Sequence, residues 1–279
     1  MEHFWDFRFT DHEDFVETFD ELPLWSAPFG LLLLKSIDLK PNLVVLDMGS
    51  GAGFPLFELA ERLGPSCRCY GLDPWTNAIA RAKKKIKNYE VKNVEVVQGS
   101  ADDAPFADSF FDLIVSNLGI NNFENRDRVF AECHRLLKPF GKLALTTNLN
   151  GHWKEFYKIF EETLLENKRR DLVLKLTEHQ EHRGTVDSIS SLFIKIGFQI
   201  TRQLTETFEM RFLDGTSFLN HHFVKVGWLS SWQQIIPEKD WASLFSQLEK
   251  NLNMYSEKAG GLTLTVPMAF IEGQKISSK

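Results

Sequence analysis

The chain has 279 residues, 43% of them hydrophobic and 25% charged, a balance that suits a globular protein with a full core. Its formal charge of -6 argues against a broad phosphate-binding face, and its longest aliphatic run, residues 31–34, is far too short to span a bilayer. The acidic, aromatic N-terminus has no apolar signal-peptide core, and Cys67, Cys69 and Cys133 are too few and too unevenly spaced for a disulfide framework or a zinc site. The expectation is a cytoplasmic protein with no metal, no membrane insertion and no nucleic-acid partner. The oligomeric state is not readable.

In chain order, the hydrophobic period alternates between 2 and 3.6, as strands alternating with helices do. Residues 43–46 (LVVL) read as a short buried strand that ends at Asp47 and a glycine-rich turn. A helix over 55–63 follows, with Pro55 near its first turn, where a missing N–H does no harm. A strand at 68–72 and a helix at 75–88 come next, the latter carrying the basic run 81–87 on a solvated face. Strands are predicted at 94–98 and 111–116, a helix at 126–137 and a fifth strand at 142–147. Single helices between strands imply parallel pairing and a doubly wound α/β sheet.

Beyond residue 150 the alternation changes character. Residues 152–182 read as amphipathic helix broken near 167–171, and 188–196 as a shorter helix leading into a strand at 199–203. The last strand is expected over 262–272, where Pro267 suits an edge or a bulge better than the middle of a sheet. Between these strands, residues 205–260 form an aromatic-rich insertion of hairpin and helices, of the kind that carries specificity. The organisation expected is a single domain over 1–279. Within it lie an N-terminal helical cap (1–40), a cofactor-binding core (41–150), a helical lid (151–197), and the last two strands with their substrate-side insertion (198–279).

The informative segment is 44–53, VVLDMGSGAG. Glycines at 49, 51 and 53 let the backbone turn sharply and approach a ligand without Cβ clashes. The helix that follows points its N-terminal amides at the same place. The nicotinamide dinucleotide fingerprint G-x-G-x-x-G would need a third glycine at 54, which is Phe54.

An acidic strand end followed by G-x-G-x-G, here Asp47, Gly49, Gly51 and Gly53, resembles the class I, Rossmann-like S-adenosylmethionine-dependent methyltransferases. The segment 132–145 (ECHRLLKPFGKLAL) is similar to the subgroup that includes ubiquinone- and menaquinone-biosynthesis methyltransferases, the methyltransferase type 11-like group. The resemblance covers about residues 43–147. It implies a Rossmann-like, doubly wound, mostly parallel sheet with an antiparallel last strand and a helical cap formed by insertions. It also implies S-adenosylmethionine as cofactor and S-adenosylhomocysteine as product.

Residue by residue, Gly71-Leu72-Asp73 resembles the family's G-x-D, whose carboxylate holds both ribose hydroxyls. Asp47 would supply negative charge near the methionine end, and Ser50 lies in the turn that binds its polar atoms. Pro74 and Trp75 follow Asp73, and Trp75 would pack beside the adenine. Ser100, Ala101 and Asp102 stand in the loop against the adenine, with Ser100 where the family commonly has aspartate. Asn117 ends the fourth strand, which faces the transferring methyl, and Phe140 replaces the first glycine of the usual P-G-G turn.

No catalytic residue is identified, since methyl transfer is an in-line displacement with a neutral leaving group and needs a base only if the acceptor must lose a proton. Candidates for the substrate pocket are Trp25, Phe29, Asn121, Trp153, His221 and His222, each with core packing, loop capping or surface placement as the competing role. The function expected is methyl transfer to a small molecule. The alternatives are an RNA or protein methyltransferase, a non-catalytic S-adenosylmethionine-binding module and, least favoured, a nicotinamide-dependent dehydrogenase.

Overall fold

The computed structural model describes residues 3–9, 12, 15–17 and 24–276. It divides into two compact units. One comprises residues 11–148, 185–206 and 268–279, and the other residues 1–10, 149–184 and 207–267.

The first unit is built on a seven-stranded sheet in the order β3-β2-β1-β4-β5-β7-β6. Strands β1 (Val44–Met48), β2 (Arg68–Asp73), β3 (Val94–Gln98), β4 (Phe111–Asn117) and β5 (Leu137–Asn148) pair in parallel. Strand β7 (Leu262–Lys275) runs antiparallel to β5, and β6 (Phe198–Phe212) closes that edge. The fold is Rossmann-like and doubly wound, with helices before β1 and β6 and between successive parallel strands, save that β3 passes to β4 without one. These helices are α1 (Ala27–Ser36), α2 (Leu56–Leu63), α3 (Thr76–Tyr89), α4 (Arg126–Leu136) and, before β6, α7 (Val186–Ile196). Helix α2 shows the amphipathic logic: Leu56, Phe57, Leu59 and Ala60 are buried, while Glu58 and Arg62 pair at 2.6 Å on the outside.

The second unit holds α5 (Lys154–Glu166), α6 (Arg170–Glu181), α8 (Gly215–Asn220), α9 (Ser230–Ile235) and α10 (Trp241–Ala259). A π-helical turn, Lys225–Leu229, precedes α9. Its core is aromatic: Trp153, Phe156, Phe218 and Trp232 are almost wholly buried, with Trp153 and Phe218 edge-to-face at 5.1 Å.

Several boundaries differ from the sequence expectation. The helical segment expected at 151–197 divides at 184, and α7 belongs with the sheet unit. Residues 205–212, expected within an insertion of hairpin and helices, continue β6, and the rest of 205–260 is mostly helical. Strand β5 starts at Leu137, where it pairs with Phe111 before the register shifts to Leu113 and Lys142. Phe140, at φ 65°, turns the backbone inside that irregularity as a glycine would. Pro267 lies on an internal strand rather than an edge. The regular register with β5 ends at Asn148–Met268, and Pro267, which has no N–H, takes part beyond it only as acceptor, its carbonyl receiving the Leu149 amide at 3.0 Å.

The turn after β1 explains its glycines. Gly53 has φ 104°, and a Cβ there would stand 2.0 Å from Phe57 Cε2, the ring that anchors α2. Gly53→Ala therefore adds backbone strain to a clash in a packed core. It should lower stability by about 2–4 kcal/mol, measured by urea unfolding. An unchanged midpoint would mean that the turn is not anchored by Phe57.

Candidate functional site

The C-terminal ends of β1 to β4 bring together the residues named for the cofactor. Parallel strands feeding helices make this edge of the sheet the place where loops converge and where α/β folds take their ligands. Gly49 and Ser50 donate their amides to the Leu72 carbonyl at 2.8 and 3.1 Å, which pins the glycine turn to the neighbouring strand. The Gly51 amide donates instead to Asp73 Oδ2 at 2.8 Å. Gly51 has φ 52°, and nothing among the described residues lies within 4 Å of where its Cβ would be, so the turn is open there.

Asp73 is doubly used. Its Oδ1 accepts the Trp75 amide at 2.9 Å across exposed Pro74, while Oδ2 holds Gly51. Burial raises its pKa, opposed by these two N–H donors. It therefore makes the turn ahead of α3 and still has lone pairs for a ligand, since a carboxylate offers about four acceptor sites. Asp47, at the end of β1, is fully buried, and among the described residues neither of its oxygens has a hydrogen-bond partner of normal geometry. Burial pushes its pKa to about 8, the Asp73 charge pushes the same way, and only the Leu56 amide opposes them weakly. A buried carboxylate left so uncompensated is a candidate ligand group.

Ser100 donates to Asp102 Oδ1, and Arg128 stands 3.7 Å from the other oxygen. The Ser100 hydroxyl, with Arg128 in support, holds the Asp102 carboxyl below its ordinary pKa. Ala101 lies between them in the same turn. Trp75 is half-buried, with its ring 6.4 Å from that of Phe15.

At the end of β4, Asn117 accepts from Thr146 Oγ1 at 2.7 Å and donates to the Ser26 carbonyl at 3.3 Å. Beside it Asn121 accepts from Thr147 Oγ1 at 2.7 Å and donates to Asn148 Oδ1 at 2.9 Å. The sequence reading missed Thr146, Thr147 and Asn148, which fix these amides. The register Asn117–Thr146 makes the first pair, and no local motif announces it. The sequence reading also missed Lys85: it lies in the basic run but donates to the Ala52 carbonyl of the glycine turn at 3.0 Å.

The substrate-pocket candidates divide between the two units. Trp25 and Phe29 belong to the sheet unit, with rings 5.3 Å apart and Phe29 fully buried, and Asn121 lies in the clamp just described. Trp153, His221 and His222 belong to the other unit. There Trp153 stacks on His152 at 4.4 Å, His221 packs edge-on to Phe212, and His222 edge-on to Phe7. A cavity of about 210 Å³ opens at the opposite, N-terminal ends of the strands beside Asp38, Asp112, Lys142 and Glu272. Lys142 pairs with Asp38 and Glu272 and Lys138 with Asp112, so each of these acids already has a cation.

Comparison with known proteins agrees with this geometry. The methyltransferase-domain family matches residues 39–207, more than half of the chain. An arsenite methyltransferase of Halobacterium salinarum is 33% identical over 108 residues, 39% of this chain but only 28% of its own length. A demethylmenaquinone methyltransferase of Lactococcus lactis is 27% identical over 197 residues, covering 67% of this chain and 77% of its own. Among solved structures, an S-adenosylmethionine-dependent methyltransferase of Aquifex aeolicus superposes with a TM-score of 0.54 at 21% identity. That match covers 70% of this chain and 93% of the other, and it shows the shared fold. The glycine turn between two acidic strand ends and the match across the sheet unit have one reading: the chain belongs to the methyltransferase-domain family, as a class I S-adenosylmethionine-dependent methyltransferase.

Proposed function

We propose that this chain transfers a methyl group from S-adenosylmethionine to a small-molecule acceptor in the cytoplasm. The observation that carries the reading is the pair of carboxylates flanking an open glycine turn. Among the described residues Asp47 is buried without a hydrogen-bond partner, and Asp73 is tied to Gly51, whose Cα faces open space. That donor set fits a cationic ligand bearing a vicinal diol. Asp73 would hold the ribose hydroxyls, Asp47 would favour the positive methionine end, and Ser100, Ala101 and Asp102 with Trp75 would frame the adenine. When bound, the cofactor supplies an electrophilic methyl on sulfur.

The chain's own contribution is placement. The Thr146–Asn117 bond fixes an amide at the end of β4, on the same sheet edge as the glycine turn. Holding reactants in line contributes up to roughly 7–11 kcal/mol of barrier reduction in favourable systems, so no general base need be assigned. The names of the relatives, which specify arsenite and demethylmenaquinone, support a small acceptor, as does the net charge of -6. No helix among the described residues is long and apolar enough to cross a membrane, and the three cysteines are free and buried.

The test is calorimetric titration of the full chain with S-adenosylmethionine, with a reduced nicotinamide dinucleotide as control. A screen of small acceptors for methyl uptake would follow. Saturable binding of the first ligand alone is the expected result. A folded protein that binds neither, or methyl label that goes only to RNA or protein in a mixed extract, would overturn the reading.

A further inference from the structure

Strand β6 is the edge of the sheet, and from residue 201 to 207 every residue is exposed. Edge strands present unpaired backbone N–H and C=O groups. Proteins usually blunt them with lysine, proline or a short length. Here the strand runs for 15 residues, and the sequence FQITRQLTETFEMRF contains neither lysine nor proline. Its threonines, isoleucine and phenylalanines favour extended backbone, and its charges are Arg202, Glu206, Glu209 and Arg211.

We infer that this edge pairs antiparallel with β6 of a second copy of the chain, about a two-fold axis through Leu204. The argument is the strand's self-complementarity. In an antiparallel pair, directly opposite residues share a face, so a two-fold axis must pass through a residue. With the axis on Leu204, Arg202 of each copy stands opposite Glu206 of the other, Gln203 opposite Thr205, and Leu204 opposite itself. An axis on Arg202 or Glu206 sets like charges face to face. An axis on Gln203 or Thr205 places both charges opposite apolar side chains. Opposite charges directly across a strand pair attract and like charges repel, so among axes placed on the fully exposed run 201–207 only the one through Leu204 pairs opposite charges.

The side chains are prepared for it. Glu206 is anchored through Oε1 to Lys35 at 2.5 Å, and Arg202 uses one of its N–H groups on the Ser36 carbonyl, both at the end of α1. A guanidinium has five N–H donors and a carboxylate two oxygens, so each keeps capacity for its counterpart across the axis. Leu204, 39% exposed in the single chain, would lose that exposure against its twin.

Sedimentation of the full chain over a range of concentrations tests the proposal. The parent should show a reversible monomer–dimer equilibrium, and Arg202→Glu should weaken it roughly tenfold or more by facing Glu206 with a second carboxylate. Adding Glu206→Arg to that variant should restore association, which a variant that simply misfolds would not show. Independently, Leu204→Cys should form an intermolecular disulfide on mild oxidation. Opposed Cα atoms in such a pair lie about 4.5–5.5 Å apart, within disulfide reach, and the native thiols are all buried. A chain that stays monomeric at every concentration would overturn the proposal and leave the edge to a strand of another protein. A dimer that ignores Arg202→Glu and does not cross-link through Leu204→Cys would equally overturn it.

Discussion

Asp47→Asn should stabilise the ligand-free protein at pH 8 while weakening its hold on S-adenosylmethionine. The carboxyl is fully buried with no hydrogen-bond partner among the described residues, and burial pushes its pKa from 3.8 to about 8. Between those values the folded chain keeps a proton that the unfolded chain has released. Stability from this group therefore falls as pH rises from about 4 and levels off above about 8, the reverse of the usual salt-bridged carboxylate. At about 1.4 kcal/mol per pH unit the loss amounts to several kcal/mol on an order-of-magnitude basis. Asparagine cannot ionise, so the variant's stability should stay flat across that range in urea unfolding at stepped pH.

The amide is left unpartnered too, at about 1–3 kcal/mol, so the variant should gain nothing near pH 4 and overtake the parent as pH rises. Binding runs the other way. A cationic ligand at the glycine turn favours the ionised carboxylate, so the parent's affinity should climb with pH toward 8 and the variant's should not. Parallel stability curves for the two proteins from pH 5 to 8 would show that Asp47 is already compensated in the folded chain.

The parallel half of the sheet was legible because strands buried on both faces read as unbroken apolar runs, as in β1 and β4. The glycine turn was legible for a different reason: steric demands at Gly51 and Gly53 leave few residue choices. Where the sequence fell short, the cause was long-range. The length of β6 was underestimated because an edge strand exposed on both faces carries polar residues at every position from 201 to 203 and from 205 to 207. The division into two units depends on segments far apart in sequence, 149–184 with 207–267, and no composition shift marks it. In the site, Asp47 and Asp73 followed from motif position, yet the clamp of Thr146 and Thr147 on Asn117 and Asn121 depends on cross-strand register and loop course. The substrate candidates were chosen as aromatic or polar residues near predicted strand ends. That criterion cannot separate a pocket wall from a core ring such as Phe29 or Trp153.

Asp73→Ala should reduce affinity for S-adenosylmethionine by about two to four orders of magnitude, on the reading that its carboxylate accepts both ribose hydroxyls. Hydrogen bonds to a charged group contribute roughly 1.5–3 kcal/mol each, and two of them give that range as an upper bound. The same side chain also holds the Gly51 and Trp75 amides, so the substitution frees the glycine turn and the start of α3 as well. A loss of affinity by itself therefore cannot distinguish a ligand contact from a loosened turn. A double-mutant cycle with the ligand as one partner can. For the parent, a 2′-deoxy analogue should bind about 10- to 150-fold more weakly than the natural cofactor, since one charged hydrogen bond is missing. For Asp73→Ala the two ligands should bind alike, because the hydroxyl no longer has its acceptor. If the analogue is penalised equally in both proteins, Asp73 acts only through the turn. The diol would then have to be held elsewhere on the same sheet edge.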